Sequence, residues 1–434
     1  MSTQRRQWIG TYALRTERYG LLHQRVSTWA LGLVVCAVLY NAVLAALNAA
    51  GLHQSYGSVA LTEAAILAAS AVYIVAAKLP VFTPLSVTIV IFGIVMTLYV
   101  SFASQGPVLD CARAAAIIGV FTILGSVSTE RQIFLVFRIL SAGVLAVLLL
   151  EIFNTSLFVK IFQPADYYTA TRGIEAFSLD DSGLFRNALG FQGRFTFGLS
   201  DHRTASIFIE QVSLANFCGV LIVYLLACHD RLGTSDRLLH ITTVVLVLLS
   251  NDTRTTSIFA LLSVVGVYLY PCLPPRAVFG IMPVIVASGF AVVQAWGVSS
   301  NDDLQGRLST TVLNLQSLAW TDWLGFGARR LGTYMDSGYP YVVAGSTIYG
   351  LLFFWLLLAT ALPGNTAPRR RCLFGLNLYM CSNLMIGGTA VFSIKIAAPL
   401  WMLIGYMNLR TPATAAAQNR TERRILSDTV ASLA

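Results

Sequence analysis

Long apolar runs separated by short polar segments fill most of the chain. A helix needs about 20 apolar residues to cross a hydrocarbon core of about 30 Å, and lipid-exposed backbone must satisfy its own hydrogen bonds. The pattern therefore predicts an all-α fold, a polytopic bundle of about 12 transmembrane helices that forms a single membrane domain over 1–434. The predicted spans are 28–50, 59–79, 83–103, 111–128, 132–153, 204–227, 237–251, 255–273, 277–297, 340–362, 372–388 and 390–408.

The polar segments between the spans are of three kinds. Residues 1–27 mix arginines with aromatic side chains, as expected of a cytoplasmic segment lying at the membrane interface. Residues 154–203 and 298–339 are predicted to be two long outer loops, and 409–434 a cytoplasmic tail. Arg369, Arg370 and Arg371 mark a cytoplasmic connection, so the positive-inside rule places both termini inside.

Composition excludes several classes of protein. The chain has 56% hydrophobic and 11% charged residues, with a mean hydropathy of +0.70, whereas soluble domains carry about 25% charged residues. A soluble cytosolic enzyme, a disordered chain and a disulfide scaffold are therefore excluded. The seven cysteines form no C-x-x-C pair, no phosphate-binding G-x-x-x-x-G-K-[ST] loop is present, and the five histidines lack zinc-ligand spacing. We therefore predict neither a metal nor a cofactor.

Arginines at the predicted outer boundary are the main candidates for chemistry. The net charge of +9 fits membrane anchoring and an anionic substrate better than nucleic acid. A guanidinium binds phosphate oxygens in a bidentate manner and keeps its charge when partly desolvated. On a helical span beginning at 204, Arg203, Glu210 and Ser213 would share one face, with Glu210 two turns inside the helix. An ionisable group at that depth normally faces a cavity or a partner.

Three segments resemble the bacterial exopolysaccharide polymerases of the Wzy type and the superfamily that they share with the O-antigen ligases. They are RTASIFIEQVSLANF at 203–217, SNDTRTTSIFALL at 250–262, and the stretch from Gln305 through WLGFGARRL to MDSGYPYVVAGSTIYGLL. These segments occur in the same order as in the superfamily and lie on the same predicted side of the membrane. The resemblance covers roughly 190–355, and the first five spans match in hydropathy alone.

The resemblance implies a metal-independent glycosyltransferase of the bacterial cytoplasmic (inner) membrane. It would polymerise repeat units by moving the growing glycan from undecaprenyl diphosphate onto a lipid-linked repeat unit at the outer face. Its partners would be an undecaprenyl-diphosphate-linked oligosaccharide, the lipid bilayer, a chain-length-regulating copolymerase and a flippase, without nucleic acid. The catalytic candidates are Arg203, Arg254, Asp336 and Glu210. The substrate-binding candidates are Arg194, Arg307, Asp201, Ser213 and Arg330.

Arg203 and Arg254 would take the diphosphate-binding positions of the family, with Arg307 as a third candidate. The identity of the general base stays open among Asp336, Glu210, Asp201 and His202. Structural roles are the alternatives, since arginines anchor to headgroups and Asp336 is suited to cap a helix or to make a turn. Glu63 and Arg138, deep in spans 2 and 5, are candidates for a structural pair.

Two other functions are compatible with the pattern. An O-antigen ligase would transfer the glycan to a lipid A core, but the ligases place a histidine near the end of the second long loop, and this loop has none. A lipid-linked glycan flippase or permease is the non-enzymatic alternative. It should carry cations through the middle of its spans, whereas here they concentrate at one boundary.

Overall fold

A computed structural model describes residues 28–77, 84–173, 182–185, 188, 199–301 and 303–409. Every regular element in these ranges is helical. The α-helices are α1 Thr28–Ala49, α2 Tyr56–Ala76, α3 Pro84–Ala103, α4 Asp110–Val127, α5 Glu130–Phe153, α6 Thr155–Phe162, α7 Pro164–Arg172, α8 Gln211–Cys228, α9 Thr234–Asn251, α10 Arg254–Leu269, α11 Ile281–Trp296, α12 Leu304–Gln316, α13 Trp320–Trp323, α14 Gly338–Thr360, α15 Ala367–Ile386 and α16 Ile394–Leu409. The predicted outer loops thus contain helices of their own.

Nine helical segments among the described residues are long and apolar enough to cross a membrane. They begin at Thr28, Tyr56, Leu85, Asp110, Glu130, Gln211, Arg254, Pro275 and Gly338. In the segments that begin at Tyr56 and Pro275, only 11% and 22% of an 18-residue apolar stretch is buried inside the protein. Apolar surface of this extent is typical of helices that face lipid. The all-helical fold and the multi-pass membrane architecture therefore agree with the predictions.

The other three predicted spans coincide with α9, α15 and α16, which are either shorter or more polar than the nine segments. Helix α9 has Asp236, Arg237 and His240 within its first two turns, and α15 has Arg369, Arg370 and Arg371 in its first turns. Helix α16 is only 16 residues long. Twelve spans is thus the upper count, and nine is the number that length and apolar composition support in the described ranges.

The core is centred on α8, because 83% of the 18-residue apolar stretch that begins in this helix is buried. Helices α4 and α16 cross closely because both carry glycine at the contact. A Cβ atom on Gly125 would meet the carbonyl oxygen of Met402, and one on Gly405 would meet the carbonyl oxygen of Thr122. Small residues that allow such backbone approach are a common basis of helix association in membranes.

Helix direction defines two ends of the bundle. We call the "loop end" the one where α3, α5 and α9 end and where α4, α8, α10, α14 and α16 begin. At the opposite end, Arg231 Nη1 lies 3.3 Å from Glu130 Oε2, joining the end of α8 to the start of α5. Arg371 pairs there with Asp230.

The expected pair between Glu63 and Arg138 is wrong. Glu63 Oε2 lies 3.1 Å from Arg113 Nε, and Arg138 makes two 2.7 Å hydrogen bonds to the carboxylate of Asp236. The reason is helix direction. Glu63 lies seven residues from the start of α2 at the loop end, whereas Arg138 lies eight residues from the start of α5 at the opposite end.

Candidate active site

The segment that carries Arg203 is not helical. Helix α8 begins at Gln211, and the residues before it contain a single 3₁₀ turn, Ser206–Phe208. Ser206 and Ile209 have φ angles of +49° and +59°, in the left-handed region that β-branched residues such as isoleucine rarely occupy. Strained backbone of this kind persists only where its surroundings hold it in place, and it is concentrated at functional sites.

Glu210 and Ser213 are therefore not on a common helix face with Arg203, and that prediction is wrong. Glu210 is the N-cap residue of α8 rather than a residue two turns inside a helix. The apolar pattern of 204–209 suggested helix, but Glu151 of α5 and Asn251 of α9, both buried, bind polar backbone groups of this segment instead. Non-helical backbone in an apolar interior is tolerated where the protein supplies such partners.

Arg203 is anchored on the end of α9. Its Nε donates to the carbonyl oxygen of Asn251 at 2.9 Å, and its backbone N–H donates to Ala188 O at 2.9 Å. The neighbouring Thr204 donates its backbone N–H to Ser250 O at 3.2 Å, and their hydroxyl oxygens lie 2.8 Å apart. Arg203 is thereby held against the turn between α9 and α10.

Arg254 lies on the same turn as the first residue of α10. Asp252, which connects the two helices, has φ of +51°. The Arg254 side chain is exposed, and within the described ranges no hydrogen bond or ion pair involves it. A cation at a helix N-terminus is opposed by the helix dipole, so this position does not serve the stability of α10. Arg203 and Arg254 thus both lie at this turn, and Arg254 is open to a ligand.

Glu210 is at the centre of a charged cluster. Its carboxylate accepts from Arg172 Nη1 at 2.8 Å, from Lys395 Nζ at 2.9 Å and from Ser213 Oγ at 2.6 Å. The Arg172 guanidinium also lies over the buried ring of Tyr168, 4.5 Å from its centroid. The cluster joins α7, the start of α8 and the start of α16.

The electrostatics of this cluster keep Glu210 ionised. Burial by itself would raise the pKa of Glu210, but the positive charges of Lys395 and Arg172 outweigh it and hold the pKa well below its ordinary value. A carboxylate that is so strongly stabilised has little tendency to accept a proton. The geometry therefore favours a positioning role for Glu210 over the role of general base.

Arg307 and Asp336 face each other across the second long segment. Arg307 Nη1 lies 3.5 Å from Asp336 Oδ1, and the Asp336 side chain is 80% exposed. Asp336 is not the cap of α14, because Ser337 occupies the N-cap position. Arg330 pairs instead with the buried carboxylate of Asp322, which raises the pKa of Arg330 through this hydrogen bond. Arg330 is thus already engaged within its own loop.

The connection between α15 and α16 links these groups. Thr389 donates its backbone N–H to Met335 O at 3.1 Å, next to Asp336. Six residues later, Lys395 binds Glu210. The two acidic residues among the catalytic candidates, Glu210 and Asp336, therefore border one short connection at the loop end. Of the remaining candidates, Asp201 is exposed and His202 is buried, and Arg194 lies outside the described residues.

An apolar cleft lies between α3, α4 and α14. Phe92, Phe353 and Leu357 contribute to its apolar walls. Its polar lining is at the loop end, where Tyr341 donates to Asp110 at 2.7 Å. A lipid chain in this cleft would have its polar end among the charged groups of the loop end.

Four residues of this site were not among the sequence-based candidates: Glu151, Arg172, Asn251 and Lys395. Two of them carried a signal, since Glu151 and Lys395 are ionisable groups inside apolar runs, which normally have a specific partner. Asn251 lies within the resembling segment at 250–262 and Arg172 in a polar stretch, and neither was itself a candidate. Among the described residues, no group of three His, Cys, Asp or Glu side chains is placed to hold a metal ion.

Comparison of the chain with protein families, with curated proteins and with solved structures finds no match.

Proposed function

We propose that the protein is a polymerase of exopolysaccharide repeat units, a glycosyltransferase that uses a polyprenyl-diphosphate-linked donor. One observation carries the proposal: Arg203 is bonded to Asn251 O at 2.9 Å, three residues before the exposed Arg254. Two guanidinium groups from separate segments are therefore supplied to one turn. Both segments belong to the part of the sequence that resembles the Wzy-type polymerases.

The chemistry needs positive charge where a diphosphate leaves. A hydroxyl of the acceptor repeat unit attacks the anomeric carbon of the donor glycan, and the bond between that carbon and the diphosphate oxygen breaks. Negative charge then grows on the diphosphate, and guanidinium groups that are already in position stabilise it without reorganisation. Arg203 and Arg254 take this role, with Arg307 as a further contact.

The acceptor hydroxyl must lose its proton as it attacks. Asp336 is the better placed of the two carboxylates that were predicted to be catalytic, because its side chain is 80% exposed and an acceptor hydroxyl can therefore reach it. Glu210 already accepts from three donors. We therefore propose that Asp336 accepts the proton of the acceptor hydroxyl and that Glu210 has a positioning role.

The nature of the substrate suggests how its lipid chains bind, which way the protein faces in the membrane, and which partners it needs. The donor and the acceptor are both glycans on undecaprenyl diphosphate in the bilayer, and the cleft between α3, α4 and α14 offers apolar walls for a prenyl chain. We place the loop end at the outer face of the bacterial cytoplasmic membrane, with both termini inside. A flippase would supply repeat units there, and a copolymerase would set chain length.

The test is deletion of the gene in its own bacterium, followed by separation of carrier lipids and glycans by size. Single repeat units on the carrier outside the membrane, without long polymer, are expected. Complementation with Arg203→Ala or Arg254→Ala should leave this defect in place. Arg276→Ala is the matched control, since Arg276 is an exposed arginine at the opposite end of the bundle, and it should restore the polymer.

Other outcomes identify other functions. Long polymer that remains on its carrier and is missing from lipid A would indicate a ligase. Repeat units retained on the cytoplasmic face would indicate a transporter. Normal chain length in both arginine variants, at normal membrane levels of protein, would refute the proposal.

A further inference from the structure

Glu151 is a buried carboxylate in an unfavourable place for its own helix. It lies in the last turn of α5, two residues before Phe153, and its exposed fraction is 0%. A negative charge near a helix C-terminus is opposed by the helix dipole. Burial of an ionisable group adds a further cost unless partners compensate it. The stability of α5 therefore does not explain this residue.

The partners of Glu151 are backbone groups of the segment that carries Arg203. Its two carboxylate oxygens each lie 3.0 Å from the backbone nitrogen of Ala205, and Oε2 accepts from the backbone N–H of Ser206 at 2.7 Å. His202 Nε2 lies 3.4 Å from Oε1. Glu151 thus contacts residues on both sides of Arg203, one before it and two and three after it.

This contact is made where the backbone is strained. Ser206 has φ of +49°, and its hydroxyl donates to Val144 O of α5 at 2.7 Å. A non-glycine residue in the left-handed region is unfavourable and persists only where its surroundings hold it there. A charge-assisted hydrogen bond is about twice as strong as a neutral one, so Glu151 is suited to hold such a conformation.

We propose that Glu151 is a positioning residue that fixes Arg203 at the turn between α9 and α10. The carboxylate binds the backbone after Arg203, while Asn251 and Ser250 bind Arg203 and Thr204 from the other side. Arg203 is held between these two attachments. The role in catalysis rests on the proposed function of Arg203, whereas the role in holding the backbone does not.

Conservative variants separate charge from shape. Glu151→Gln keeps the length of the side chain but replaces one acceptor oxygen by an N–H₂ donor, which would face backbone donors. Glu151→Asp keeps the charge but is one methylene shorter. If the glutamine variant does not accumulate in membranes, the aspartate variant carries the test.

The first experiment measures amide hydrogen exchange of peptides covering 199–212 in protein reconstituted into lipid nanodiscs. Glu151→Gln is expected to speed exchange at Ala205 and Ser206 roughly tenfold, because their acceptor is weakened. Glu63→Gln is the matched control, since Glu63 is a loop-end carboxylate bound to Arg113 and not to this segment. Unchanged exchange in Glu151→Gln would overturn the proposal, whether or not the protein proves to be a polymerase.

The second experiment is a double-mutant cycle on polymerisation of purified lipid-linked repeat units. Glu151→Gln is expected to lower kcat roughly tenfold to a hundredfold, with a smaller change in KM, because a misplaced catalytic group costs rate. In an Arg203→Ala background it should cause no further loss of kcat. Multiplicative losses would overturn the positioning role. A wild-type protein without activity would instead refute the proposed function. The exchange experiment alone would then decide whether Glu151 holds the backbone around Arg203.

Discussion

Lys395 Nζ lies 2.9 Å from Glu210 Oε2, and only 3% of the Lys395 side chain is exposed. The pair joins the first turn of α16 to the N-cap of α8, next to the strained segment that carries Arg203. Because Arg172 also binds Glu210, two cations share one carboxylate. Glu210 is therefore the residue on which the charge balance of this cluster depends.

Replacing Glu210 should be more damaging than replacing Lys395. Glu210→Gln leaves two cations without their carboxylate, one of them fully buried, whereas Lys395→Met leaves Glu210 paired with Arg172. Breaking a buried ion pair costs about 3–5 kcal/mol, so both variants should unfold at lower temperature in detergent, with Glu210→Gln the lower. The double variant should lose less than the sum of the single losses. An unfolding temperature of Lys395→Met equal to that of the wild type would contradict this account.

The contribution of Glu210 should depend on pH in a defined direction. Its pKa is lowered in the folded protein, so folding favours its ionised form. The resulting stability is full above the ordinary carboxyl pKa of about 4.3 and is lost as the pH falls below that value. The difference in unfolding temperature between wild type and Glu210→Gln should therefore shrink between pH 5 and pH 3. A constant difference across this range would exclude the assigned charge state.

Arg254→Lys should reduce activity without reducing stability. The Arg254 side chain is exposed, and substitutions at such surface positions usually change stability by no more than about 0.5 kcal/mol. Lysine retains the charge but lacks the planar fork that binds two phosphate oxygens. We expect kcat/KM for the diphosphate-linked donor to fall roughly tenfold, which is the loss of about 1.4 kcal/mol of binding in the transition state.

The controls for this prediction are Arg254→Ala and Arg276→Ala. The alanine variant should lose more activity than the lysine variant, and the variant at the opposite end should lose none. Equal activities of Arg254→Lys and the wild type would show that charge alone suffices at this position.

The sequence predicted the helices well because their signal is local. Long apolar runs place α1 within one residue of its observed C-terminal end and α3 within one residue of its observed start. The segment from Thr204 to Ile209 was misassigned because it is as apolar as a helix. Its actual conformation depends on Glu151, more than 50 residues earlier in the chain, and on Asn251, 47 residues after Thr204. Hydrophobic periodicity contains no information about such partners.

Only the local part of the geometry of the candidate site could be predicted from the sequence. The arginines at the ends of spans were visible in the sequence, and Arg203 and Arg254 do come to one turn. The partners of Glu210 were not predicted, because Arg172 and Lys395 are 38 residues before it and 185 residues after it. Pairs of this separation are fixed by the packing of α16 against α8 and by the contact of α7 with the segment before α8, which no local pattern specifies.

Asp336→Asn should separate catalysis from stability. The contact between Asp336 and Arg307 is exposed, and such ion pairs contribute about 0–1 kcal/mol. The unfolding temperature should therefore hardly change, whereas loss of a general base typically lowers kcat by about 10²–10⁴-fold. Arg307→Ala is the companion variant, since it breaks the same ion pair and leaves the carboxylate present. If Asp336→Asn and Arg307→Ala show the same small loss of kcat, Asp336 is not the base.

The crossing of α4 and α16 should be sensitive to a single methyl group. A Cβ on Gly405 would overlap the backbone carbonyl of Thr122, and backbone at a helix crossing cannot move aside without separating the helices. Gly405→Ala is therefore expected to cost about 1–3 kcal/mol, the usual range for overpacking. Gly143→Ala in α5 is the matched control, because its Cβ would have nothing within 4 Å, and its higher helix propensity should stabilise the protein by up to about 1 kcal/mol. Thermal unfolding in one detergent compares the stabilities of the two variants.

The same crossing should also affect the candidate site, since α16 carries Lys395, which binds Glu210 at the start of α8. Gly405→Ala should therefore speed amide exchange at the start of α8. A destabilised protein with unchanged exchange there would show that the α4–α16 crossing does not support the site.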